Sequence, residues 1–155
     1  MKKLILSIAV VLMGFGAFAQ QSQSEIELMQ AVFGVEKAQM VMQFVKPGDQ
    51  YMAQFESIYN EYETKRKALG KKSIELLNQY ANEWEGMTNE QADALMEDIL
   101  KLRAEREKLI ATYYKKLKRE TTPIIAMQFF QVEAYILAVI QAKLYDSIPF
   151  VGEQR

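Results

Sequence analysis

The sequence predicts an all-α fold, an elongated four-helix arrangement built on a long antiparallel helical hairpin. From Tyr51 to Trp84 apolar residues mostly recur at alternating spacings of three and four, the rhythm of a coiled-coil seam. Three helix-start signals punctuate it: Ser24 with Glu27, Thr88 with Gln91, and Thr122 followed by Pro123. The 155 residues include no cysteine, so packing and polar pairing must hold the helices without disulfides.

Residues 1–19 stand apart. Lys2 and Lys3 precede an apolar run broken only by Ser7 and two glycines, and Ala17-Phe18-Ala19 closes it. A basic start, a short apolar centre and small residues at the end are the plan of a secretory signal peptide. The run falls short of the roughly 20 apolar residues that a membrane span needs. The expectation is therefore a signal peptide over residues 1–19 and a single helical domain over residues 20–155. Without Lys2 and Lys3, 17 basic side chains face 20 acidic ones, a net charge of −3. Such a chain is expected in the periplasm, or secreted where no outer membrane exists. Its charge suits no nucleic acid partner, and no integral membrane span is expected once the leader is gone.

Helix one is expected from Ser24 to Lys46-Pro47-Gly48. Ile26, Met29, Phe33, Met40 and Phe44 form one apolar stripe, and Leu28, Val32, Val35 and Met42 form another. Two stripes ask for two packing partners. Helix two is expected to be capped by Asp49 and to run to about Glu85, with Tyr51, Phe55, Ile58, Tyr62, Leu69 and Leu76 among its seam residues. At about 1.5 Å per residue it makes a rod of roughly 50 Å. Gly70 leaves its continuity open, since glycine costs a helix interior about 1 kcal/mol.

Gly86 suggests a tight reversal into helix three. There Thr88 can accept from a free backbone N–H of the first turn while Gln91 reaches back to the Thr88 N–H, a capping box, with Met87 ahead of it. A reversal at Gly86 sets facing residues at a sum of about 173 in an antiparallel pair. That register brings Glu56, Glu61 and Glu63 toward the basic run from Lys115 to Arg119, and Lys65, Arg66 and Lys67 toward Glu105 and Glu107. Helix four, "PIIAMQFFQVEAYILAVIQAKLYDS", is apolar almost all round, which implies burial on several sides. Glu133 within it is read as ion-paired, with Lys143 or an arginine. The closing Ile148-Pro149-Phe150-Val151 is read as a tail that folds back on the bundle.

Histidine is absent, which removes the commonest metal ligand and the usual neutral-pH acid or base. The neighbouring carboxylates Glu61/Glu63, Glu97/Asp98 and Glu105/Glu107 stand one or two residues apart and diverge on a helix. A di-iron bundle site would need Glu-x-x-His. The methionines, Met29, Met40, Met42, Met52, Met87, Met96 and Met127 after the leader, fit core filling and adaptable contact better than copper. No catalytic residue, metal or cofactor is expected, and the chain is read as a non-enzyme. What remains is a surplus of apolar surface, with Phe33, Phe44, Phe129 and Phe130 as the candidate partner-binding residues. A homodimer and partner contacts together account for it.

At Met87-Thr88-Asn89-Glu90-Gln91 the chain resembles the Spy/CpxP family of periplasmic helical proteins, whose recurring mark is Leu-Thr-x-x-Gln; methionine stands here for leucine. The likeness extends to the signal peptide, the size, the absence of cysteine and the order of helices. Where that family usually repeats the motif before its last helix, this chain has Thr121-Thr122-Pro123, without the glutamine. The resemblance implies a cradle-shaped helical dimer that acts as an ATP-independent chaperone or an envelope-stress regulator. Some related proteins bind zinc; without histidine that property does not carry over. The expected function is capture of unfolded or envelope proteins without ATP. The alternative is a regulatory or structural adaptor for one specific envelope protein.

Overall fold

The computed structural model describes residues 36–152, apart from the side chains of residues 146 and 147. Over these residues the chain is all-α: four helices joined by short connections, with no strand. The expected signal peptide, the Ser24 cap and Phe33 lie outside the described residues.

Residues 36–44 form helix α1, and Val45 to Pro47 carry the chain into the next element. Lys37, Met40 and Val41, with Val45 just beyond the helix end, are buried; Met40 and Val41 stand three and four residues after Lys37, and Val45 four after Val41, which keeps them on one side. Helix α2 runs Gly48–Glu83 and is continuous through Gly70. Its N-cap is Pro47, not Asp49. Gly48 takes a φ of 66°, a value open to glycine at little cost, and the helix starts two residues earlier than expected. Asp49 is left in the first turn, where the helix dipole favours a carboxylate.

A single 3-10 turn, Trp84–Gly86, ends α2, and α3 spans Asn89–Glu120. Glu61 meets Lys116 and Tyr113, and Lys72 meets Glu105 at 3.0 Å. As numbers rise along α2 they fall along α3, so the two run antiparallel. These partners sum to 174–177 where 173 was expected. The reversal is centred beyond Gly86, on the extended backbone of Met87 and Thr88. This shift redistributes the charges: Lys72 takes Glu105, Lys65 pairs along its own helix with Glu61 at 3.5 Å, and Glu63 and Arg66 turn inward.

Helix α4, Pro123–Ser147, starts as its sequence predicts, with Thr122 Oγ1 accepting from Ile125 N at 3.2 Å and proline in the first turn. Arg103 meets Tyr145, and the Phe130 ring lies edge-on to Tyr114, so α4 runs antiparallel to α3 and parallel to α2. The tail is tied to α2 by Tyr80, which donates to the Pro149 carbonyl.

The core lies where all four helices meet. Phe129 is edge-on to Tyr62, Phe55 and Tyr59 at centroid distances of 5.1, 6.4 and 6.4 Å. Tyr113 and Leu117 from α3, Val41 from α1 and Val45 just after it close around them. Each such side chain contributes about 1.5–3 kcal/mol by leaving water. The expectation that α4 is buried on several sides is corrected here. Ile125, Ala126, Phe129, Val132 and Ile136 are buried, whereas Ile124, Met127, Gln131, Tyr135 and Ala138 are exposed. The segment Pro123–Tyr145 is long and apolar enough to cross a membrane by length and composition, yet only 33% of its most apolar window is buried.

Candidate functional site

The pentad at the head of α3 is a complete capping box. Gln91 N donates to Thr88 Oγ1 at 3.2 Å, and Thr88 N donates to Gln91 Oε1 at 2.9 Å. Both bonds satisfy backbone donors that the first helical turn leaves open. Met87 is half-buried beside them. The residues of the motif are occupied in starting a helix.

The candidate contact residues divide. Phe129 is 0% exposed and sits at the centre of the aromatic core, so its assignment as a partner-binding residue is corrected. The "Phe-Phe" pair on an apolar helix necessarily splits, because neighbours lie about 100° apart: Phe129 turns inward and Phe130 stays partly exposed. Phe44, at the end of α1, is 45% exposed. It lines a shallow groove with Gln128, Gln131, Val132 and Tyr135 of α4.

Phe44 and Phe130 flank a larger feature. Ile124, Met127, Gln131, Tyr135, Ala138 and Tyr145 recur along α4 at spacings of three, four and seven and are all exposed. Ile124 is 71% exposed, far more than an apolar side chain of a packed helix retains. This stripe is continuous and almost uncharged.

A second feature, of which the sequence anticipates only that Glu133 is paired, is a buried ionic cluster between α1, α2 and α4. Lys37, 1% exposed, pairs with Glu63 and with Glu133, the latter at 2.7 Å. Arg66 Nε donates to Glu63 at 2.8 Å, and Tyr62 Oη donates to Glu133 at 2.6 Å. The Lys37 ammonium also lies 5.1 Å from the Tyr62 ring centroid, within range of a cation–π attraction. Burial holds the lysine below its ordinary pKa against the pull of Glu133 and Glu63. Burial alone would raise Glu63, but the charges and hydrogen bonds of Lys37 and Arg66 outweigh it and hold that carboxyl below the usual range. The Tyr62 hydroxyl is pushed up, first by burial and then by the Glu133 carboxylate. Glu133 thus has a partner, as its place in an apolar helix implies, but the partner is Lys37 from α1 in place of Lys143 or an arginine.

From this cluster an open groove of about 380 Å³ runs between α2, α3 and α4. Ile74, Leu77, Leu109, Leu137, Ile140 and Leu144 supply its apolar walls. Lys37, Tyr62, Arg66 and Glu133 stand at one end, and Arg106 and Glu107 on the α3 side. Arg106 makes no ion pair among the described residues. Its pKa is lowered, first by burial and then by the like charges of Arg66 and Arg103. Comparison of the chain with protein-family models, with curated proteins and with solved structures finds no match to any of them.

Proposed function

We propose that the protein is a non-enzymatic holding factor that captures unfolded or envelope proteins without ATP, along the exposed face of α4. The observation that carries this reading is the stripe from Ile124 to Tyr145, an apolar helix face left open to solvent beside a well-packed core. Contiguous apolar surface of this kind marks an interaction site. Its composition suits loose capture: aliphatic, Met and Tyr side chains adapt to many sequences, and exposed Gln131 supplies hydrogen bonds without charge. Export to the periplasm and a distant kinship with the Spy/CpxP group belong to the same proposal and rest on the sequence features described above.

The test is light scattering of a chemically unfolded model protein diluted into buffer with the purified chain and no nucleotide. Suppression of aggregation near one chain per client is expected. The double variant Ile124→Lys and Met127→Lys, both at exposed positions, should keep its helicity and lose most of that suppression. A folded wild-type chain that suppresses nothing, or a double variant as effective as wild type, refutes the reading.

A further inference from the structure

We propose that the groove between α2, α3 and α4 is a binding site for a free single-chain carboxylate amphiphile, its acyl chain between the helices and its carboxylate on Arg106. This site is separate from the exposed face of α4 and does not rest on the holding function.

The argument starts from charge. Lys37 and Arg66 spend their charges on Glu63 and Glu133, two cations against two carboxylates in contact. Arg106 is the additional cation of the groove wall, with Arg66 and Arg103 close enough to repel it. Glu107, the other carboxylate on the wall, is exposed and forms no ion pair with Arg106 among the described residues. A guanidinium stays protonated and offers forked donors that match a carboxylate. It is half-buried beside apolar walls, where a charge-assisted bond gains from the loss of competing water.

The second argument is shape. Small-molecule sites are concave, mostly apolar and supplied with a few polar groups that fix orientation, at about 300–1,000 Å³; the groove has about 380 Å³ and this lining. Arg106 lies within electrostatic reach of Arg66 and Tyr62, and Ile74, Leu77, Leu137, Ile140 and Leu144 line the groove with apolar surface. A neutral apolar ligand would leave the arginine unanswered, a cationic one would be repelled, and a two-chain lipid exceeds the space.

The experiment is isothermal titration of the full chain with dodecanoate, dodecanol and dodecyltrimethylammonium, each below its micelle concentration. Dodecanoate is expected to bind once per chain, and at least about tenfold more tightly than dodecanol, the worth of one hydrogen bond to a charged group. Shortening to decanoate should weaken binding by about fourfold for each methylene removed. Arg106→Gln should remove the preference for the carboxylate and leave dodecanol binding unchanged. Equal binding of acid and alcohol, many ligands per chain, or an Arg106→Gln chain that still prefers dodecanoate would overturn the site. No binding at all overturns it too, and is the result if another part of the chain fills the groove. Binding to phosphatidylglycerol vesicles without binding of free dodecanoate would instead assign the arginine to a membrane surface. The comparison of head groups on the unmodified chain decides the question even if the variant fails to fold.

Discussion

Lys37 is the residue on which the interior depends. Two buried carboxylates, Glu63 and Glu133, converge on its ammonium, and breaking a buried pair by removing one partner costs about 3–5 kcal/mol. Arg66 and the Tyr62 hydroxyl remain with those carboxylates, so Lys37→Met is expected at the lower end, about 3 kcal/mol in urea unfolding. Adding Glu133→Gln should recover part of the loss, because the amide oxygen still accepts from Tyr62. A single-variant loss below about 0.5 kcal/mol, the scale of an ordinary surface change, would mean the cluster is solvated. Acid stability follows from the same residues with a definite sign. Glu61 is held at about 2 by hydrogen bonds from Lys116 and Tyr113, and Glu63 is held low as described. A carboxyl depressed on folding stabilises fully above its unfolded value and loses that contribution as pH falls through the folded one. Thermal midpoints should therefore be flat near neutrality and decline from about pH 4.3 toward pH 2. Glu61→Gln should flatten the lowest part of that decline; an unchanged slope would show that the Lys116 and Tyr113 contacts do not hold in solution.

At the scale of the element, starts and stops were legible because they depend on neighbours in sequence. Thr88 with Gln91 and Thr122 with Pro123 need only three or four residues to work, and both act as read. Thr88→Ala should cost about 1 kcal/mol, measured as a shift in the urea midpoint, while Thr88→Asp stays near wild type. The glycines were less legible, since their role depends on φ. Gly86 adopts no positive φ and has open space where a Cβ would lie, so Gly86→Ala should stabilise by about 0.4–1 kcal/mol through the unfolded chain. Gly48, at a φ of 66° with equal space, should lose about 1 kcal/mol or more on the same change. Opposite signs at the two sites separate backbone strain from packing; equal signs would refute the assignment. The buried cluster was illegible for a different reason. Lys37 occupies the periodic gap between Phe33 and Met40 in the stripe expected of helix one, and Glu133 lies between Val132 and Ile136 on the buried side of α4. One charge of each sign, each at a slot in an apolar face, was the available signal. Glu63 carried none, because it stands in the charged run Glu63-Thr64-Lys65-Arg66-Lys67, which reads as a solvated surface. Phe129 and Phe130 were indistinguishable by composition, and only the phase of α4 against its neighbours separates them.

For the whole molecule, the question is whether the open face of α4 is a dimer interface or a surface for clients. From Ile124 to Tyr145 the stripe is about 32 Å long at 1.5 Å per residue, and a helix face is about 10–12 Å wide. That gives roughly 350 Å², less than half of the roughly 800 Å² per partner that a stable interface buries. A second copy packed on this face alone would therefore bind weakly, whereas an extended client segment needs no more than such a strip. The two uses compete, so holding capacity per chain should fall as protein concentration rises into the range where copies associate. Sedimentation velocity should give a monomer at low micromolar concentration and partial dimer only far above it. Ile124→Lys with Met127→Lys should abolish both that association and the suppression of client aggregation. A dimer that survives nanomolar dilution would require a larger interface than this stripe, and would make the α4 face a subunit contact that clients cannot reach.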